Sequence, residues 1–143
     1  VHQGDGTATT LAHEPLAYTC SVHCEKNFPA RKAESDMDVN LPIKMEDDAY
    51  LSTVRAAFLE ALERAKPDFV LYDAGVDIYE HDPLGLLNIS LAGIRERDEL
   101  VLRICKEKGL PVATVIGGGY DRDQTALAKR HAIVVESAFK VFN

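Results

Sequence analysis

The chain of 143 residues carries 16 Lys+Arg against 23 Asp+Glu, a formal charge of −7, which argues against a nucleic-acid binder held by phosphate contacts, since that needs a basic face. Its length suits one domain, and hydrophobic and charged fractions of 46% and 27% are those of a folded globular chain rather than a disordered one. No apolar run approaches the roughly 18 residues of a membrane-spanning helix.

The first residues, Val1-His2-Gln3-Gly4-Asp5-Gly6, contain no basic stretch followed by an apolar one, so they do not read as a secretory signal, and an intracellular setting is expected. Gly4-Asp5-Gly6 forms a turn that opens a short helix over Thr7–Leu11. Leu16–Val22 is the first expected strand, followed by a long, exposed, polar loop from Cys24 to Val39. Cys20 and Cys24, with His23 between them, could suggest a metal clip. Strand positions four apart lie roughly 13 Å from each other, however, so reduced structural thiols are expected there and at Cys105.

Glu46-Asp47-Asp48 supplies helix-starting carboxylates, and Leu51, Val54, Phe58, Leu62 and Ala65 then recur at helical spacing until Lys66-Pro67 stops them. Phe69–Tyr72 is a short apolar strand. Ser90 is the N-cap of a helix running to Lys108, with Gly109 as its stop. Pro111–Ile116 reads as a buried strand. Asp121 opens a last helix with Leu127, His131, Val134, Val135, Ala138 and Phe142 inward. Strands alternating with helices predict an α/β fold, a mainly parallel sheet with helices on both faces.

Three segments do not read as packing: His2–Gly6, Asp73-Ala74-Gly75-Val76-Asp77 and Gly117-Gly118-Gly119-Tyr120. Each falls where a strand ends, and in open α/β sheets that edge forms the ligand crevice. An imidazole (His2) and a carboxylate (Asp77) are ordinary zinc ligands, and a catalytic zinc uses three such ligands with one position open. The three glycines let the backbone line a narrow slot, where Gly118 and Gly119 would face substrate. Tyr120 then offers a phenolic donor for an oxyanion. Singly these signals have bland readings. His2 could be a loop residue, Asp77 an Asx-turn or cap residue, and the glycine run a phosphate cradle ahead of a helix. No Lys-Ser/Thr pair follows the glycines, and Asp121 and Asp123 would repel phosphate.

Taken together and in order, His2-Gln3-Gly4-Asp5-Gly6-Thr7, Tyr18–His23, Ala74-Gly75-Val76-Asp77 with Asp82-Pro83-Leu84-Gly85, and Ile116–Tyr120 resemble the later half of a histone deacetylase-type zinc hydrolase of the arginase–deacetylase fold. Gln3, Leu84-Gly85 and Arg97-Asp98-Glu99-Leu100 resemble the class IV branch and its bacterial relatives. The resemblance implies that His2 and Asp77 are zinc ligands. Asp5 would be the carboxylate that orients an active-site histidine, and Tyr120 the transition-state tyrosine. Ser21, Val22 and the His2 carbonyl match a region that holds a monovalent cation, potassium (K+). Cys24–Pro29 falls at a substrate-rim loop, and Asp82 matches a loop aspartate near the metal.

The implied reaction is hydrolysis of an acyl group from a lysine side chain of a histone or other protein, or from a related acylated amine. The resemblance assigns it a zinc-polarised carbonyl and water, a histidine base and Tyr120 on the oxyanion. The family's other zinc aspartate and its paired histidines match no residue here. Residues 1–143 are therefore expected to be the C-terminal portion of a catalytic domain, inactive alone, with an exposed sheet edge and apolar helix faces that favour aggregation. A catalytically dead, partner-binding member of the same fold is the rival expectation.

Overall fold

A computed structural model describes residues 1–143. Its elements run α1 (Asp5–Leu11), β1 (Cys20–Cys24), β2 (Met37–Leu41), α2 (Asp47–Ala65), β3 (Val70–Asp73), α3 (Leu91–Glu107), β4 (Val112–Val115) and α4 (Gln124–Phe142). All strand pairing is parallel. β1 pairs with β2, from Cys20 opposite Met37 to Cys24 opposite Leu41, and β3 pairs with β4, from Val70 opposite Val112 to Asp73 opposite Val115. The strands form two separate pairs rather than one sheet. No helix is long and apolar enough to cross a membrane.

The core gathers Leu41 of β2, Tyr50 and Val54 of α2, Val76, Ile78 and Ile89 from the segment after β3, Ile94 and Val101 of α3, and Ile133 of α4. Local chemistry sets the helix ends. Ser90 caps α3 by accepting from the Gly93 amide at 3.0 Å, and Asp123 caps α4 by accepting from Thr125 and Ala126 at 2.9 and 3.0 Å. Lys66 ends α2 in the left-handed region at φ 46°, and Gly109 after α3 takes φ 66°, where a glycine carries no steric penalty. Ser90 also ties α3 to α2, donating from its amide and hydroxyl to the Asp47 carboxylate at 2.9 and 2.5 Å.

Several elements differ from the sequence reading. The first strand begins at Cys20 rather than Leu16, which is 95% exposed, and it runs on through Cys24. The stretch read as one loop from Cys24 to Val39 contains the start of β2, whose alternation of polar and apolar residues (Met37-Asp38-Val39-Asn40-Leu41) marks a half-buried strand. On α2 the buried face is Tyr50, Val54, Ala57, Ala61 and Leu62, with Leu51 and Phe58 at its margin.

On α4 the buried face is Arg130, Ile133, Val134, Ser137 and Val141, while Val135 and Phe142 lie outside. Counting Arg130 as a solvent residue rotates the expected face. In fact its guanidinium pairs with Asp121 at 2.9 Å and stacks over the Tyr79 ring at 4.8 Å, so it turns inward. The strand Pro111–Ile116 is not buried: Ile116 is exposed, as are Phe69 and Leu71 beside β3 and on it.

Candidate active site

The first three residues are fixed from two sides. The Val1 carbonyl accepts from the Cys24 amide at 2.9 Å, laying the chain against the end of β1. Gln3 is buried, and its amide group donates to the Ala33 carbonyl at 2.9 Å and to Asp38 at 2.8 Å while accepting from the Ala33 amide at 2.8 Å. Both N–H donors of Gln3 and one acceptor position of its oxygen are thus used in holding residues 1–3 to the approach of β2.

Asp77 ends the turn that follows β3 and is 1% exposed. The amides of Val76 and Asp77 both donate to the Gly118 carbonyl, at 2.6 and 3.1 Å, and Arg97 of α3 donates to the Gly75 carbonyl at 2.6 Å. The His2 Nδ1 and Asp77 Oδ2 atoms are 2.8 Å apart, and the Val1 backbone nitrogen lies 2.5 Å from Oδ1. Burial disfavours the Asp77 carboxylate, and hydrogen bonds from the Val1 nitrogen and from His2 offset that cost. Tyr120 completes the cluster, its ring edge-to-face with the His2 ring at 6.2 Å between centroids.

The glycine run is a packing requirement of this cluster. A Cβ on Gly118 would overlap the Asp77 carboxylate, one on Gly117 would overlap Asp73, and one on Gly119 would come within 2.6 Å of Val76 and 3.1 Å of the His131 ring. The carboxylate of Asp77 thus packs against the glycine run, where its charge opposes that of a phosphate.

Asp82, whose role the sequence leaves open, is a backbone anchor. One oxygen accepts from the Leu84 and Gly85 amides at 2.9 and 3.0 Å, and the other accepts from the Tyr120 amide at 2.8 Å. The Tyr120 carbonyl accepts from Arg130 at 3.3 Å.

The remaining expected residues lie outside this cluster. Asp5 is the first residue of α1, and its side chain makes no hydrogen bond within the chain. Ser21 and Val22 lie on β1, where the Ser21 hydroxyl is 3.0 Å from Nδ1 of the fully buried His23. The three cysteines are free thiols, Cys20 exposed and Cys24 and Cys105 buried. His81 is exposed, edge-to-face with Tyr79 at 5.3 Å between centroids.

Sequence reasoning missed Arg97, Asp98 and His131 as neighbours of the site. Arg97 and Asp98 are buried side by side on α3, and His131 of α4 lies behind Gly119 with a buried Nδ1 that finds no partner. A signal existed for the first two, since Arg-Asp sits in mid-helix between Ile94 and Val101, on the apolar stripe. For His131 only its expected inward position was readable.

His2 Nδ1 and Asp77 Oδ2 are donor types that zinc takes, and here they lie within hydrogen-bonding distance of each other. They are two donors, and the chain brings no third His, Cys, Asp or Glu to them. A complete catalytic zinc site therefore needs a further ligand.

Residues 1–136 match the histone deacetylase domain. The chain belongs to the histone deacetylase family. It is 44% identical over 142 residues to an uncharacterized protein of Picosynechococcus sp., covering 99% of this chain and 47% of that protein. It is 37% identical over 123 residues to histone deacetylase 2 of Arabidopsis thaliana, covering 83% of this chain and 32% of that one. Among solved structures, a histone deacetylase homologue complexed with SAHA superposes with a TM-score of 0.75 at 24% identity, covering 96% of this chain and 39% of that chain. The fold is accordingly that of the arginase–deacetylase group. The chain spans less than half the length of these curated relatives.

Proposed function

We propose that residues 1–143 are the C-terminal portion of the catalytic domain of a zinc-dependent deacylase, which hydrolyses the side-chain amide of acyl-lysine or a related acylated amine. The observation that carries this reading is the convergence of His2 Nδ1 and Asp77 Oδ2 at 2.8 Å beneath the Tyr120 ring, in a chain of the histone deacetylase family. His2 and Asp77 would hold zinc together with a third ligand from outside these residues. When bound, zinc supplies Lewis acidity toward a carbonyl and lowers the pKa of water.

The chain's own residues would do the rest. Tyr120, held by its backbone to Asp82, is placed to donate its phenolic proton to the oxygen that gains charge in the tetrahedral transition state. Gly118 and Gly119 form a wall without side chains along which an extended lysyl stem can pass. Asp5, with no partner inside the chain, is available to orient a histidine from outside it. Ser21 Oγ and the carbonyls of Val22 and His2 are hard oxygen donors suited to potassium, and such an ion would brace the His2 backbone. Gln3 supports placement in the class IV branch.

The test is hydrolysis of acetyl- and longer acyl-lysine peptides by the whole protein that carries this chain. Asp77→Ala and Tyr120→Phe should each lower kcat at least about a hundred-fold, the scale of losing one oxyanion donor. Equal activity in wild type and both variants would remove the reading.

A further inference from the structure

A buried charged pair lies directly behind the turn that carries Asp77. Arg97 and Asp98, 5% and 0% exposed, are neighbours on α3. Arg97 Nε donates to Asp98 Oδ1 at 2.9 Å, and the Tyr72 hydroxyl donates to the same oxygen at 2.6 Å. Arg97 Nη2 is 2.8 Å from that oxygen too, but outside hydrogen-bonding geometry, and Asp98 Oδ2 finds no donor at all. A desolvated pair with an unmatched oxygen is weak evidence of a stabilising role. Its place is better explained by what Arg97 reaches.

The remaining arm, Nη1, donates to the Gly75 carbonyl at 2.6 Å. A Cβ at Gly75 would stand 3.2 Å from Asp77 Oδ1 and 3.4 Å from the Gly118 amide, so Asp77 would have to give by a few tenths of an ångström. Glycine is also the residue with the most backbone freedom, so the turn that aims Asp77 is intrinsically loose. Arg97 removes that freedom from one side, and the Gly118 carbonyl, which takes the amides of Val76 and Asp77, removes it from the other.

We propose that Arg97 is a positioning residue for Asp77: its guanidinium, balanced by Asp98 and aligned by Tyr72, fixes the Gly75 carbonyl and with it the carboxylate that faces His2. The inference rests on reading Asp77 as a zinc ligand.

The experiment uses the whole protein and measures zinc affinity by chelator competition, alongside the thermal midpoint of the metal-free form. Arg97→Lys keeps the charge but loses the fork that reaches Asp98 and Gly75 together. The double variant Arg97→Met, Asp98→Asn removes both charges and keeps an acceptor for Tyr72. Both should bind zinc roughly 10–100-fold more weakly, the range seen when a group supporting a metal ligand is lost. The double variant should hold a midpoint near wild type.

Wild-type zinc affinity in the double variant would overturn the proposal, because a merely structural pair predicts that outcome. If the double variant does not fold, Arg97→Lys decides by the same measurement, and undiminished affinity there refutes the assignment. A wild type that binds no zinc, or an Asp77→Ala variant that binds it equally well, would instead show that Asp77 is not a ligand, and the proposal would fall with that reading.

Discussion

Gly118→Ala puts the coupling between the glycine run and Asp77 to a quantitative test. The added methyl would overlap the Asp77 carboxylate, with its carbon 2.6 Å from Cγ. Asp77 cannot swing clear. It is 1% exposed, its amide is bound to Gly118 itself, and its oxygens are engaged by Val1 and His2. Forcing one methyl into a packed site costs about 1–3 kcal/mol. Displacing the carboxylate from its hydrogen-bonded partner adds about 1.5–3 kcal/mol. The expected loss is therefore about 2.5–6 kcal/mol in urea unfolding of the metal-free whole protein, with zinc bound roughly ten-fold more weakly or worse.

The same substitution at Gly6, in α1 with nothing within 4 Å of the new Cβ, should stabilise by about 0.5–1 kcal/mol. A Gly118→Ala protein within 0.5 kcal/mol of wild type and with unchanged zinc affinity would refute the claim that Gly118 is glycine to admit Asp77.

Asp82→Ala leaves the amides of Leu84, Gly85 and Tyr120 without their acceptor, so unfolding should show a loss of about 2–4 kcal/mol, and steady-state kinetics of the whole protein a fall in kcat larger than any rise in KM. His23 is fully buried, and burial pushes its imidazole below the ordinary value, with Asp38 only partly offsetting this. The unfolded chain then binds the proton first. Stability from this group should be complete above about pH 6.5 and decline as pH falls toward the folded value, by at most about 1.4 kcal/mol per unit. Urea titrations at several pH values should show a shallower slope for His23→Leu, and an unchanged slope would contradict the assignment. Ser90→Ala removes a cap and the link to Asp47 together, so it should cost about 1–3 kcal/mol, more than Asp123→Ala at the exposed cap of α4; equal losses in denaturant melts would show that the link contributes nothing.

Elements whose ends are set by local chemistry were readable from the residues. Ser90 and Gly109 bound α3, and Lys66-Pro67 ends α2, because a cap or a left-handed residue acts within one turn. β2 was hidden because its pattern of one apolar residue in two resembles a polar loop until the Gln3 side chain, from 35 positions away, pairs with Asp38. The inward face of α4 was rotated because a charged residue counts as solvent-facing until its partners are known, and Arg130 finds them in Asp121 and Tyr79. In the site, His2, Asp77 and Tyr120 stood out because imidazole, carboxylate and phenol beside glycine are chemically distinctive. Arg97 and Asp98 were visible as a branch motif on an apolar stripe, but their link to the site is a single contact with the Gly75 carbonyl that no spacing rule encodes.

The Gly118 carbonyl receives the amides of Val76 and Asp77, while two residues further along the same strand exit is Tyr120. The carboxylate and the phenol, 43 positions apart in the chain, thus share one mechanical reference point. Breathing of α4 or of the strand pair would carry both groups together, preserving the distance between them even while the surrounding helices drift.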